Sequence, residues 1–309
     1  MPKVWLITIL CLLLLAMSGS AQTISDKNGR QIDTSTPFKR IISLYGAHTE
    51  NLFALELDSE IIGVSVNDTY PRQVSNKPKF SYHDDPERFL AARPDLVLVR
   101  PMIDNGYPGF IRQLERYGIK VVSLQPATVN EMYDYWLALG KLTGKYSAAQ
   151  RLVAGFQKKI ATIKDLTKSL VGPPKKVYFQ SIHHRMKTFT PGAMPIFALE
   201  TAGGINVAKD ARASRKTNIA VYGKERILAK AGQIDVFLAQ KGIMNPVNIE
   251  MILSEPGFGI IKAIKNQQVF LIDENIVSRP VPRLYQGIVT IGQLLYPDLF
   301  SQVCSERKL

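Results

Sequence analysis

The chain has 309 residues, 46% of them hydrophobic and 21% charged, enough for a sizeable core and more than one average domain uses, so two lobes are expected. Its formal charge of +13 favours anionic ligands or surfaces, while the lack of any basic run with interleaved aromatics sets nucleic acid aside. With only Cys11 and Cys304, and the first in a segment expected to be removed, an internal disulfide framework is excluded.

Lys3 precedes an apolar run broken only by Thr8 and followed by small residues up to Ala21, so residues 1–21 read as a cleavable signal peptide. The run is about 14 residues, short of the roughly 20 that span a bilayer, and a soluble periplasmic protein is expected. Cys11 lies inside the run rather than at its end, which argues against a lipid anchor.

Residues 22–37 are polar, and then short β-branched runs alternate with segments of helical spacing. The runs 40–44, 61–66, 95–99 and 119–124 are nearly all apolar, as parallel strands covered on both faces must be. Residues 130–170 read as helices dented at Gly140 and Gly144. The later one lacks proline and is stopped by Gly172-Pro173-Pro174. A second series of runs follows at 176–182, 234–239 and 269–273. The expected fold is therefore α/β: two Rossmann-like lobes with parallel central sheets, 38–145 and 174–300, joined by one long α-helix at 146–171. The run from Glu87 to Ala91, ERFLA, and that from Glu225 to Ala229, ERILA, each precede a strand, a weak internal repeat. Open α/β sheets bind ligands outside the carboxyl ends of their strands, so two facing lobes make one cleft.

No nucleophile elbow, phosphate loop or zinc-ligand spacing occurs, so neither an enzyme nor a cofactor is expected. Four scattered histidines leave metal ligation open.

Four segments in order carry a resemblance: RIISLYGAHTENLFAL at 40–55 followed by EIIGVS, ERFLAARPDLVLV at 87–99, LGKLTG at 139–144 and AGGIN at 202–206. Together they resemble the binding proteins that serve ABC importers of ferric siderophores, haem and cobalamin. The resemblance covers nearly the whole chain after residue 21. It implies a monomer whose long connecting helix permits small hinge motion and whose shallow cleft holds the ligand. In relatives, one exposed glutamate on each lobe docks onto arginines of the membrane permease. The resemblance implies Glu50, in the Thr-Glu of the first helix, and Glu225 for that role. Relatives often carry Pro-Ser before the Thr-Glu and an aromatic-rich approach to the second glutamate, where this chain has Gly46-Ala47-His48 and Tyr222-Gly223-Lys224, so the ligand stays open.

The strand-end rule nominates Tyr45 and His48 after the first strand, and Tyr82 and His83 before the helix of Glu87. Tyr82 matches by position the tyrosine that ligates iron in haem-binding relatives. After the strand 176–182 come His183, His184 and Arg185, of which at most one histidine faces a ligand because neighbours in an extended segment point to opposite sides. Thr190 of the loop 187–193 offers a hydroxyl, and Arg279 and Arg283 stand between prolines that fix the backbone. Tyrosine, histidine and arginine suit an anionic iron chelate. The same arginines suit molybdate or tungstate, the alternative cargo, in a compact pocket.

Overall fold

The computed structural model describes residues 23–213 and 217–305; the expected signal peptide lies outside them. The chain opens with an antiparallel hairpin of β1 (Thr23–Ser25) and β2 (Gln31–Asp33). Only polar chain was expected here, because Ile24 and Ile32 are the sole apolar residues of two three-residue strands. Arg30 pairs with Asp26 inside the hairpin turn and pins the hairpin to the N-terminal lobe through Asp104 and Glu115.

The N-terminal sheet contains β3 (Ile41–Ser43), β4 (Ile61–Ser65), β5 (Lys79–Phe80), β6 (Leu96–Val99) and β7 (Lys120–Ser123), all parallel, in the order β5-β4-β3-β6-β7. The C-terminal sheet contains β8 (Lys176–Ile182), β9 (Lys187–Phe189), β10 (Ile205–Asn206), β11 (Ile219–Val221), β12 (Val236–Lys241) and β13 (Val269–Asp273). Its main order, β11-β9-β8-β12-β13, repeats that of the first sheet place for place, with β10 beside the start of β8. One strand departs from the parallel expectation: β9 folds back antiparallel on β8. Its three residues, Lys-Thr-Phe, are too few for a periodicity to show.

The helix Val129–Thr143 begins at Thr128, whose side chain accepts from the Glu131 amide, and ends at Gly144 with φ of +71°. The next, Tyr146–Thr167, has 22 residues and is about 33 Å long. It buries Phe156, Ile160 and Ile163, and one continuous apolar cluster runs from Leu52 and Leu98 through Trp136 and Phe156 to Phe179, Leu199 and Leu295. The lobes therefore share a close-packed core behind the cleft, and large relative motion would have to break it. Among the described residues no helix is long and apolar enough to cross a membrane.

Candidate functional site

The lobes meet again through the loop 278–283, Ser-Arg-Pro-Val-Pro-Arg, which leaves the C-terminal lobe and is gripped by the first helix, Gly46–Ala54. Arg283 donates from Nε to Glu50 Oε1 at 2.7 Å and from Nη2 to Glu50 Oε2 at 2.6 Å, a bidentate pair. The Tyr70 ring lies 3.7 Å under the same guanidinium. The Pro280 carbonyl accepts from Asn51 Nδ2 at 3.0 Å and Trp136 Nε1 at 3.1 Å. Arg279 rests on the helix start, where a Cβ on Gly46 would lie 2.5 Å from Arg279 Nη1 and 3.0 Å from Asp68 Oδ1. Glycine at 46 is what lets the arginine seat.

This clasp corrects two expectations. Glu50 is 4% exposed, not a surface carboxylate, and burial lifts its pKa although Arg283 pulls the other way. The helix begins at Gly46, so Glu50 falls in its second turn and faces inward. Arg283 was expected to meet ligand, but its fork is occupied by Glu50.

His48 is a third correction. It is fully buried, with Nε2 2.9 Å from the Val99 carbonyl and Nδ1 2.6 Å from the Tyr135 hydroxyl. A carbonyl only accepts, so Nε2 carries the proton and Nδ1 accepts from Tyr135. Burial lowers its pKa to about 4, leaving it neutral at pH 7. His48 joins the first helix to β6 and to the helix Val129–Thr143 rather than facing a ligand.

Tyr45 caps the first helix at the carboxyl end of β3. Its ring stands edge-on to His48, with the Arg100 guanidinium 5.0 Å from its centroid and Arg279 close by. Burial raises its pKa against both cations, so it presents a neutral phenol. Farther along the same edge Tyr82 contacts His83 at 4.3 Å and Tyr107 at 4.7 Å between ring centroids. Tyr82 is half-buried and His83 exposed. Arg100 and Tyr107 were not nominated, yet Arg100 directly follows the run LVLV, where the strand-end rule that found Tyr45 applies equally.

Across the cleft, the pair of histidines separates. His183 is buried, its amide donating to Asn245 Oδ1 at 2.9 Å and its Nδ1 to Gln180 Oε1 at 3.0 Å, and burial depresses its pKa. His184 and Arg185 are exposed at the carboxyl end of β8, Arg185 Nε donating to His184 Nε2 at 3.2 Å. Beyond β12, Ile243 is 82% and Met244 50% exposed, apolar residues not among those nominated from the sequence. Thr190 is elsewhere: it follows β9, which runs back down the sheet, and its hydroxyl donates to the Asn218 carbonyl at 3.4 Å. Asn218 Nδ2 in turn reaches the Ala127 carbonyl of the other lobe at 2.9 Å, a second bridge between lobes.

Glu225 is exposed in the first turn of the helix Lys224–Ala229, which leads from β11 into β12. Glu87 is exposed in the first turn of Pro86–Ala92, which leads from β5 into β6, strands holding the same places in the first sheet. Topologically, then, the counterpart of Glu225 is Glu87. The sequence carried that signal in the repeat ERFLA and ERILA.

Among the described residues no group of three or more His, Cys, Asp or Glu is arranged to hold a metal. The chain is 25% identical over 290 residues to an uncharacterized ABC transporter substrate-binding lipoprotein, YvrC, of Bacillus subtilis, covering 91% of this chain and 87% of that one. It is 23% identical over 275 residues to the vitamin B12-binding protein of Vibrio cholerae, covering 88% and 90%. Among solved structures, a possible iron-binding (periplasmic solute-binding) protein from Staphylococcus epidermidis superimposes with a TM-score of 0.72 at 27% identity, covering 84% of this chain and all of that one. The family described as periplasmic binding protein matches residues 41–276, most of the chain, and its two-lobed architecture is the one observed. The chain belongs to the periplasmic binding protein family.

Proposed function

We propose that this chain is the substrate-binding component of an ABC importer, capturing an iron chelate, haem or a corrinoid between its lobes and delivering it to a membrane permease. What supports the cargo class is the chemistry at the carboxyl edges of the two sheets, which facing lobes would bring onto one cleft. Tyr45 with Arg100, and Tyr82 with His83 and Tyr107, line one edge; His184, Arg185, Ile243 and Met244 line the other. Rings and aliphatic side chains offer flat apolar contact, and the cations answer anionic groups, which suits a large chelate or macrocycle. The relatives that bind vitamin B12 and, as named, iron support the same reading. A molybdate or tungstate pocket would draw on Arg279 and Arg283 together, and Arg283 is neutralised by Glu50.

Glu87 and Glu225 are the docking carboxylates of this proposal, replacing the pair of Glu50 and Glu225. Both are exposed, both stand at carboxyl edges, and exposed carboxylates can pair with and release permease arginines. Substituting both, Glu87→Lys and Glu225→Lys, is expected to abolish uptake in cells that depend on this chain while leaving cargo affinity in solution unchanged. Normal uptake by the double variant would remove these residues from the docking role.

A further inference from the structure

Much of the excess positive charge of the chain lies in one segment, the linker helix and its flanks. Residues 141–176 hold nine lysines and arginines against a single acidic residue, Asp165, an excess of eight within a chain whose formal charge is +13. Asp165 itself is paired with Lys168 at 2.7 Å. Arg151, Lys158 and Lys164 are exposed on the linker helix, and among the described residues none of the three has an acidic partner within salt-bridge distance. The inner face of the helix is taken up by Phe156, Ile160 and Ile163, so Arg151 and Lys158 stand on its outer side and Lys164 on its flank.

A second feature marks the end of this strip. Val171 is 100% exposed, just before Gly172-Pro173-Pro174, with Lys168 on one side and Lys175 and Lys176 on the other. An apolar side chain held fully in water among cations is what an anionic lipid interface accommodates, the charges meeting headgroups and the apolar tip entering below them.

The strip also points away from the cleft. Before the helix, the Leu142 carbonyl accepts from the Phe38 amide, near the amino end of β3; after it, the chain enters β8 at Lys176. Both ends of the linker therefore lie at amino edges of the sheets, whereas the rims lie at carboxyl edges.

We propose that the outer face of the linker helix docks onto an anionic phospholipid surface, holding the protein beside a membrane with its cleft open to solution. Arg151, Lys158, Lys159, Lys164 and Lys168 are spread along about 25 Å of the helix. Electrostatic attraction is screened over about 10 Å at 0.1 M salt, so only an extended, flat field of negative charge meets them all at once. A compact acidic protein knob would reach two or three.

The test is cosedimentation of the mature chain with vesicles of phosphatidylcholine, alone or with one-third phosphatidylglycerol. Binding is expected only to the anionic vesicles, and to be lost when salt is raised from about 0.1 M to about 1 M. Each cation at an anionic leaflet strengthens binding about fivefold, so Arg151→Glu, Lys158→Glu and Lys164→Glu together should weaken partition at least about tenfold. A control with the same change of net charge at exposed Arg72, Lys209 and Lys265 should retain binding. Should the reversed variant misfold, Gln at the same three positions gives a smaller loss of the same sign. Val171→Ser should lower binding without altering its salt dependence. Equal binding to neutral and anionic vesicles, or equal losses from strip and control variants, overturns the proposal, as does capture by soluble polyphosphate without any preference for phosphatidylglycerol.

Discussion

Burial decides the chemistry of single residues here, and burial is what a sequence hides. His48 looked like a rim histidine because it follows a strand, but its folded pKa of about 4 lies below the ordinary 6.5. The unfolded chain therefore takes up the proton first. The stability that neutral His48 supplies is complete above pH 6.5 and is lost as pH falls toward 4, by about 3 kcal/mol at most. Glu50 and Asp68, whose pKa values burial raises, act in the opposite sense, losing stability as pH climbs above the ordinary carboxylate range. Comparing melting temperatures of the wild type and His48→Gln at pH 7 and pH 4.5 isolates the histidine, and the variant should lose less on acidification. An identical pH response in both would mean that His48 is not the titrating group. For the clasp, a double-mutant cycle on Glu50→Ala and Arg283→Ala should give a coupling of about 2 kcal/mol, measured by denaturant unfolding. Simple additivity would mean the bidentate pair contributes nothing. Nothing in the sequence joined these two residues, which are 233 positions apart.

Elements were more legible than contacts, in proportion to how completely they are buried. β3, β6 and β8 are almost wholly enclosed, so their apolar runs announced them. β1, β2, β5 and β9 are as short as β3 or shorter and, unlike it, none is buried throughout, so no apolar run marks them off from loop. Missing β9 also misplaced Thr190, since a hairpin reverses the direction in which the next residues lie. Two glycines show that the same substitution takes its sign from the surroundings. A Cβ at Gly155, inside the linker helix, meets nothing within 4 Å, and Gly155→Ala should stabilise by about 1 kcal/mol. At Gly140 it would come within 2.6 Å of Ala149 Cβ where two helices cross, and Gly140→Ala should destabilise by about 2 kcal/mol. Chemical denaturation of the two variants checks both signs, and equal shifts would contradict this packing.

For the whole molecule, the alternation of strand and helix was enough to foresee two lobes on one long helix. The shared core and the 278–283 clasp were not foreseen, because both depend on which surfaces of the lobes touch. Together they leave a cleft bounded behind by packed side chains and spanned by an ion pair, a frame suited to small closing motions around a cargo. The proposed docking carboxylates lay between these cases: the repeat pointed to Glu87, whereas the Thr-Glu pattern pointed to Glu50, and burial and sheet position separate them. The central claim is that this frame holds an iron chelate, haem or a corrinoid. A thermal-shift panel on the mature protein, with ferric siderophores, haem, cobalamin, molybdate and tungstate at equal concentration, tests it most directly. A cargo at 100 times its Kd should add about 2.7 kcal/mol, a rise of several degrees in Tm. The account predicts that rise with an iron chelate or tetrapyrrole-like ligand and none with either oxyanion; a rise with molybdate or tungstate alone would contradict it.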